Sequence, residues 1–128
     1  MTAKILVFSG SARTGSHNKQ LASASASALK TAGASVTLID LADFPMPVYN
    51  ADLEAKDGVP ASARELKALF MAHSALLISS PENNASVTAL LKNTLDWVSR
   101  PDVVHDGRIP YRNKVAALVA ASPGVLGG

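Results

Sequence analysis

A chain of 128 residues without a single cysteine has no disulfides, no thiolate catalysis and none of the usual Cys-rich zinc sites. The net charge is +2, the lysines and arginines are scattered and only 5% of residues are aromatic, which argues against a base-stacking nucleic-acid surface. No apolar stretch reaches membrane-spanning length, and MTAKILVF is too short for a signal peptide, so the expectation is one cytoplasmic domain over 1–128, with neither nucleic acid nor membrane as a partner.

In chain order, KILVFS (4–9) is continuously apolar, the pattern of a strand covered on both faces, as in parallel sheets. QLASASASALKTAG (20–33) reads as a helix with Leu21, Ala24, Ala28 and Ala32 on one side and Gly33 as its stop. Its alternation mimics a strand, but its residues are neither β-branched nor aromatic. A second strand follows at SVTLID (35–40), then a long loop, FPMPVYNADLEAKDGVP (44–60). ASARELKALFMAH (61–73) carries Leu66, Leu69, Phe70 and His73 at helical spacing, before a third strand at SALLISS (74–80). VTALLKNTLDWVSR (87–100) has the clearest stripe, Val87, Leu90, Leu91, Thr94, Leu95 and Val98, with Trp97 off it. Lys92, Asp96 and Arg100 stack at i+4 steps as weak ion pairs. After a second long loop (100–113) comes a fourth strand, KVAALVAAS (114–122). Alternating strands and helices predict a doubly wound α/β sheet.

In such sheets ligands lie beyond the carboxyl ends of the strands, where strand order reverses. Three carboxyl ends are unusual here: SGSARTGSHN after the first strand, SPENNAS after the third and SPGVLGG after the fourth. With strand order 2-1-3-4 these loops are neighbours and converge on one ligand. The first runs from strand into helix, so free N–H groups and the positive helix end face an anion. Ser9, Ser11 and Ser16 add hydroxyls, Arg13 a charged fork, and Asn18 either caps the helix or donates to the same anion. An ordinary Ser/Gly-rich turn with a helix cap is the plainer alternative. The spacing Gly10-x-x-x-x-Gly15 is followed by Ser16 and His17 instead of lysine, which disfavours a nucleoside triphosphate and leaves a single terminal phosphate. Pro81 fixes a turn, and Glu82, Asn83 and Asn84 present backbone N–H groups and two side-chain amides suited to the edge of a planar heterocycle, although Asn83 and Asn84 are equally turn formers. Ser122 and Gly124 approach from the far side. His17, His73 and His105 lie far apart and show no ligand spacing, so no metal site is expected.

SGSARTGSHN, PVYNADLEAKDGVPAS, SPENNASVTALLKNTLDWVSRP and SPGVLGG, in this order, resemble the NADPH-dependent FMN reductase family, which includes quinone, chromate and azo-dye reductases. The resemblance implies a flavodoxin-like fold, FMN as cofactor, NADPH or NADH as hydride donor, and a second, small-molecule acceptor. By the same resemblance Ser11, Arg13, Ser16 and Asn18 hold the FMN phosphate. Pro81, Glu82 and Asn84 line the isoalloxazine ring, and Ser122 with Gly124 forms the third loop. The family's usual glycine is Ala85 here, and its usual tyrosine is Asn83, a loss that removes apolar contact beside the ring. An electron-carrying flavodoxin fits less well because those carriers are strongly acidic. A flavin-free or truncated interaction module is the second alternative.

Two further expectations concern surfaces. Trp97, off the sheet-facing stripe, is expected to be exposed and to seat a homodimer, the resemblance allowing a tetramer as well, with burial under the 101–113 loop as the alternative. The resembling family runs on from Gly127-Gly128 into a helix, a fifth strand and a final helix. The fourth strand is therefore expected to stand as an apolar edge, in a shortened protein or one completed by another chain.

Overall fold

In a computed structural model of the protein residues 1–125 are described; residues 126–128, and with them Gly127-Gly128, lie outside the described residues. Four parallel strands, β1 (Lys4–Ser9), β2 (Ser35–Leu38), β3 (Ala75–Ser79) and β4 (Val115–Val119), form one sheet in the order β2-β1-β3-β4. Ile5 pairs with both Val36 and Ala75, and Ala75 in turn with Val115, so the register is continuous across the sheet. This is the flavodoxin-like arrangement.

Side chains alternate across the sheet. Leu6 and Phe8 of β1 and Leu76 and Ile78 of β3 point to one face, where they meet Leu66 and Phe70 of α3 (Ala61–Ala72) and Leu91 and Val98 of α4 (Ala89–Val98). Val7 and Leu77 point to the other, against Ala22 and Ala26 of α1 (His17–Thr31). Alanines let α1 lie close to the sheet. Fully burying one of the Phe or Leu side chains contributes about 1.5–3 kcal/mol, so the core rests mainly on the α3–α4 face.

Helix α1 starts at His17, three residues before the predicted segment, because Ser16 caps it by accepting from the Lys19 N–H at 3.3 Å. Its buried column is Asn18, Ala22 and Ala26, while Ala24 and Ala28 are exposed. The predicted stripe was one position out of phase because a run of Ala and Ser has no hydropathy contrast. Gly33 ends the helix with φ 93°, as expected.

The 44–60 segment is not all loop. Asn50 accepts from the N–H groups of Asp52 and Leu53 and starts α2 (Ala51–Asp57), which Gly58 closes. This segment also buries Trp97, and the expectation of an exposed tryptophan is wrong: the indole is 1% exposed. It packs edge-on against Tyr49 at 5.0 Å, and its Nε1–H donates to Pro47 O at 2.8 Å. Both of these contacts come from residues 47–49. Lys92 pairs with Asp96 as predicted, but Arg100 turns to Glu54 through two bonds of 2.7 and 2.9 Å.

The edge strands depart from the two-face cover that their composition suggests. No residue of β2 is buried. Among the described residues β4 pairs only with β3, and its Val115 and Leu118 are exposed. This is the apolar edge expected for the fourth strand.

Candidate functional site

The carboxyl ends of β1, β3 and β4 are neighbours in the sheet, and the loops leaving them enclose a cleft of about 430 Å³. Its floor is Gly10, placed by a bond from its N–H to Ser79 O. A Cβ at Gly10 would lie 2.6 Å from Ser80 Oγ and 3.4 Å from Leu91 Cβ, so glycine lets the ends of β1 and β3 and helix α4 meet closely.

Above that floor a chain of serines shapes the first loop. Ser9 Oγ accepts from the Ser11 N–H at 3.0 Å, and Ser11 Oγ from the Arg13 N–H at 3.3 Å. Gly15, with φ 69°, then turns the chain into α1. The Arg13 guanidinium is exposed; its Nη1 touches Thr14 O at 3.2 Å and makes no ion pair among the described residues. The first-turn N–H groups of His17 and Asn18 have no hydrogen-bond partner among the described residues, as helix starts leave them.

A second helix start faces the same cleft. Thr88 caps α4 by accepting from the Leu91 N–H at 3.0 Å, and its own hydroxyl donates to Gly10 O at 2.6 Å. Thr88, Ala89 and Leu90 line the cleft, and the N–H groups of Ala89 and Leu90 are also without partners among the described residues. The sequence does carry the signal, a threonine three residues before Leu91 at the start of an apolar stripe. Two helix N-termini therefore direct their partial positive charge and free donors into one space.

Between these helices the segment 81–88 makes a tight two-residue turn. Asn83 and Ser86 exchange both backbone hydrogen bonds, at 3.0 and 3.1 Å, while Asn84 and Ala85 take φ values of 51° and 62°. The Glu82 carboxylate accepts from the Ala85 N–H and braces the turn.

Of the residues singled out in the sequence, Ser11, Arg13, Ser16, Asn18, Pro81, Glu82, Asn83 and Ser122 all border the cleft. Ser9 faces a separate hollow beside Lys19 and Asp40 and supports the loop from behind. Asn84 sits at the tip of the turn, away from the cleft lining, and Gly124 is joined to Ser122 Oγ at 3.0 Å without lining it. Asn18 is 3% exposed, and its amide is bonded to Ala121 and Ser79. Among the described residues no cluster of His, Asp and Glu has the makings of a metal site, and no helix is long and apolar enough to cross a membrane.

Strand order 2-1-3-4 and a cleft at the β1–β3 switch point define a flavodoxin-like α/β protein. The family model described as NADPH-dependent FMN reductase matches residues 3–128, and the chain belongs to that family. It is 38% identical over 124 residues to an NAD(P)H-dependent FMN reductase of Pseudomonas aeruginosa, covering 97% of this chain and 62% of that protein. It is also 38% identical over 127 residues to a 2-hydroxy-1,4-benzoquinone reductase of a Burkholderia species, covering 99% of this chain and 64% of the relative. Among solved structures it resembles FerB, a flavoenzyme NAD(P)H:(acceptor) oxidoreductase from Paracoccus denitrificans. The TM-score is 0.75 at 32% identity, over 98% of this chain and 64% of that one. The chain thus spans about three fifths of the length of the curated relatives it matches.

Proposed function

We propose that this chain is the flavin-binding part of an NAD(P)H-dependent oxidoreductase that binds FMN and reduces small-molecule acceptors such as quinones, azo compounds, chromate or free flavin. The observation that carries this reading is the convergence of two helix N-termini and the Arg13 guanidinium on a single cleft. Four N–H donors without partners among the described residues, the hydroxyls of Ser11 and Ser16 and one exposed cation match the demands of a dianionic phosphomonoester. Triphosphate chemistry is not favoured, because no lysine follows Gly15.

FMN, when bound, supplies the hydride-level redox chemistry, which is why the protein needs no nucleophile or acid–base pair of its own. Ser11, Arg13, Ser16 and the first turn of α1 would hold the phosphate. Pro81, Glu82, Asn83 and Asn84 would border the ring on one side, and Ser122 with Gly124 on the other. Asn83 is exposed at this position, where the resembling family has a tyrosine, so the side chain leaves room beside the ring for an acceptor. Assembly as a homodimer or tetramer and a cytoplasmic location belong to this proposal on the family resemblance alone, since Trp97 is not available as an interface residue.

Anaerobic mixing of the purified protein and FMN with NADPH tests the reading. The expected result is bleaching of the flavin absorbance faster than with free FMN, and recovery on adding a benzoquinone. Bleaching at the rate of free FMN would overturn it.

A further inference from the structure

Asn18 stands beneath the first turn of α1, 3% exposed, yet it does not cap the helix; Ser16 does. Its amide reaches across the sheet instead. Nδ2 donates to Ala121 O at 3.0 Å, while Oδ1 accepts from the Ala121 N–H at 3.1 Å and from Ser79 Oγ at 2.9 Å. By pairing with both backbone groups of one residue, the side chain copies the two-bond exchange of a β-bridge.

The place of that bridge matters. The last ladder-type bond of β4 runs from the Ser80 N–H to Val119 O, and the strand ends there. Among the described residues, the two bonds to Asn18 are the only hydrogen bonds tying residues 120–125 to the rest of the protein; the Gly124–Ser122 bond is internal to the segment. The arrangement needs a group that donates and accepts at once, which among side chains of this size an amide provides and a carboxylate does not. The Ser79 hydroxyl, itself 0% exposed, orients the amide by donating to Oδ1 and thereby leaves Nδ2 facing Ala121 O.

We infer that Asn18 is a positioning residue: its amide sets the distance between the α1 N-terminus and the Ala121–Gly124 loop, and so the width of the cleft on the ring side. The family resemblance assigns Asn18 to the phosphate. The geometry assigns the work of its side chain to the third loop. This inference rests on the flavin-binding reading above and adds to it a division of labour, with Arg13 serving the phosphate and Asn18 serving the ring.

FMN and riboflavin separate the two roles, because they share the ring and differ in the phosphate. In Asn18→Ala the dissociation constants for both flavins are expected to rise by about tenfold, leaving their ratio as in the parent protein. The visible band of bound flavin should shift with the altered ring contact. In the flavin-free protein the Ala121 amide should lose its protection from hydrogen exchange. Ser79→Ala, which alters no residue of the cleft, should weaken both flavins in parallel by about threefold. A loss confined to FMN in Asn18→Ala, with riboflavin binding unchanged, would overturn the inference and return Asn18 to the phosphate. Should Asn18→Ala not fold, unchanged affinities in Ser79→Ala would overturn it equally. A parent protein that binds neither flavin would instead overturn the flavin-binding reading, and the inference with it.

Discussion

Trp97 Nε1 donates to Pro47 O at 2.8 Å, and the same carbonyl accepts from Asn93 Nδ2 at 2.9 Å. Asn93 Oδ1 meanwhile accepts from the Tyr49 N–H at 2.8 Å. Helix α4 thus presents two working faces: Leu91, Thr94 and Val98 turn inward and are buried, while Asn93 and Trp97 clamp the 47–49 segment.

Replacing Trp97 by Phe keeps most of the buried ring and deletes one donor, and Asn93 still serves Pro47 O. The expected cost in urea unfolding is about 1 kcal/mol, against about 3–5 kcal/mol for Trp97→Ala. Because the indole is covered within its own chain, the oligomeric state of Trp97→Phe by light scattering should equal that of the parent protein. A change of oligomeric state would restore the tryptophan to an interface.

Lys67 is buried on α3, where its ammonium donates to Asp102 Oδ2 and to Arg100 O, both at 2.8 Å. The Lys67 contact, followed by the N–H groups of Val104 and His105, holds the Asp102 carboxyl far below the usual carboxylate range. Its folded value is depressed, so its contribution to stability is complete above the unfolded value of about 3.9 and is lost as pH falls through and below it. Asp102→Asn should therefore be less stable than the parent at pH 7, with a difference that narrows below about pH 4. Melting temperatures of the two proteins from pH 7 to pH 2 check this; a difference constant over that range would contradict it.

Asn84 and Ala85 occupy the two central positions of a turn that requires positive φ at both. Asparagine adopts that conformation readily, whereas alanine is strained there by about 1–2 kcal/mol. Glycine relieves the strain and loses part of the gain to greater unfolded-state freedom. Ala85→Gly is expected to stabilise the protein by about 0.5–1 kcal/mol in urea unfolding. Destabilisation of that size would mean that the turn does not hold this geometry.

The strands were the most legible part of the sequence. Four continuously apolar runs mark β1 to β4, and β1 ends at the predicted residue because Gly10 and the serines after it cannot extend the pattern. Alternation of strands and helices indicates a doubly wound sheet, while the order 2-1-3-4 comes from the flavodoxin-like arrangement. Helix faces were less legible. A run of Ala and Ser does not declare its buried side, so the Asn18–Ala22–Ala26 column was invisible. A single sheet-facing stripe leaves Trp97 outside, whereas the helix packs on two partners. Burial of Lys67 had no signal, since its partners Arg100 and Asp102 lie more than thirty residues on. Helix α2 did have one, in Asn50 followed by Asp52 and Glu54 and closed by Gly58.

The cleft was legible as three loops and not as two helix starts. Glycine, serine and arginine after an apolar run indicate an anion site by themselves. That Thr88 ties the start of α4 to Gly10 depends on the strand ends lying side by side, which only the fold supplies. Asn18 illustrates the same limit, because its partner Ala121 is 103 residues away.

The claim that this cleft holds the phosphate of FMN is tested most directly by titrating the protein, and its Arg13→Ala variant, with FMN and with riboflavin under identical salt. Arg13 is the exposed cation of the first loop, so its loss should weaken FMN by about 1.5–3 kcal/mol, roughly ten- to a hundredfold, and leave riboflavin unchanged. The parent protein should bind FMN more tightly than riboflavin. Equal affinity for the two flavins in the parent, or an FMN affinity that Arg13→Ala does not alter, would contradict the account.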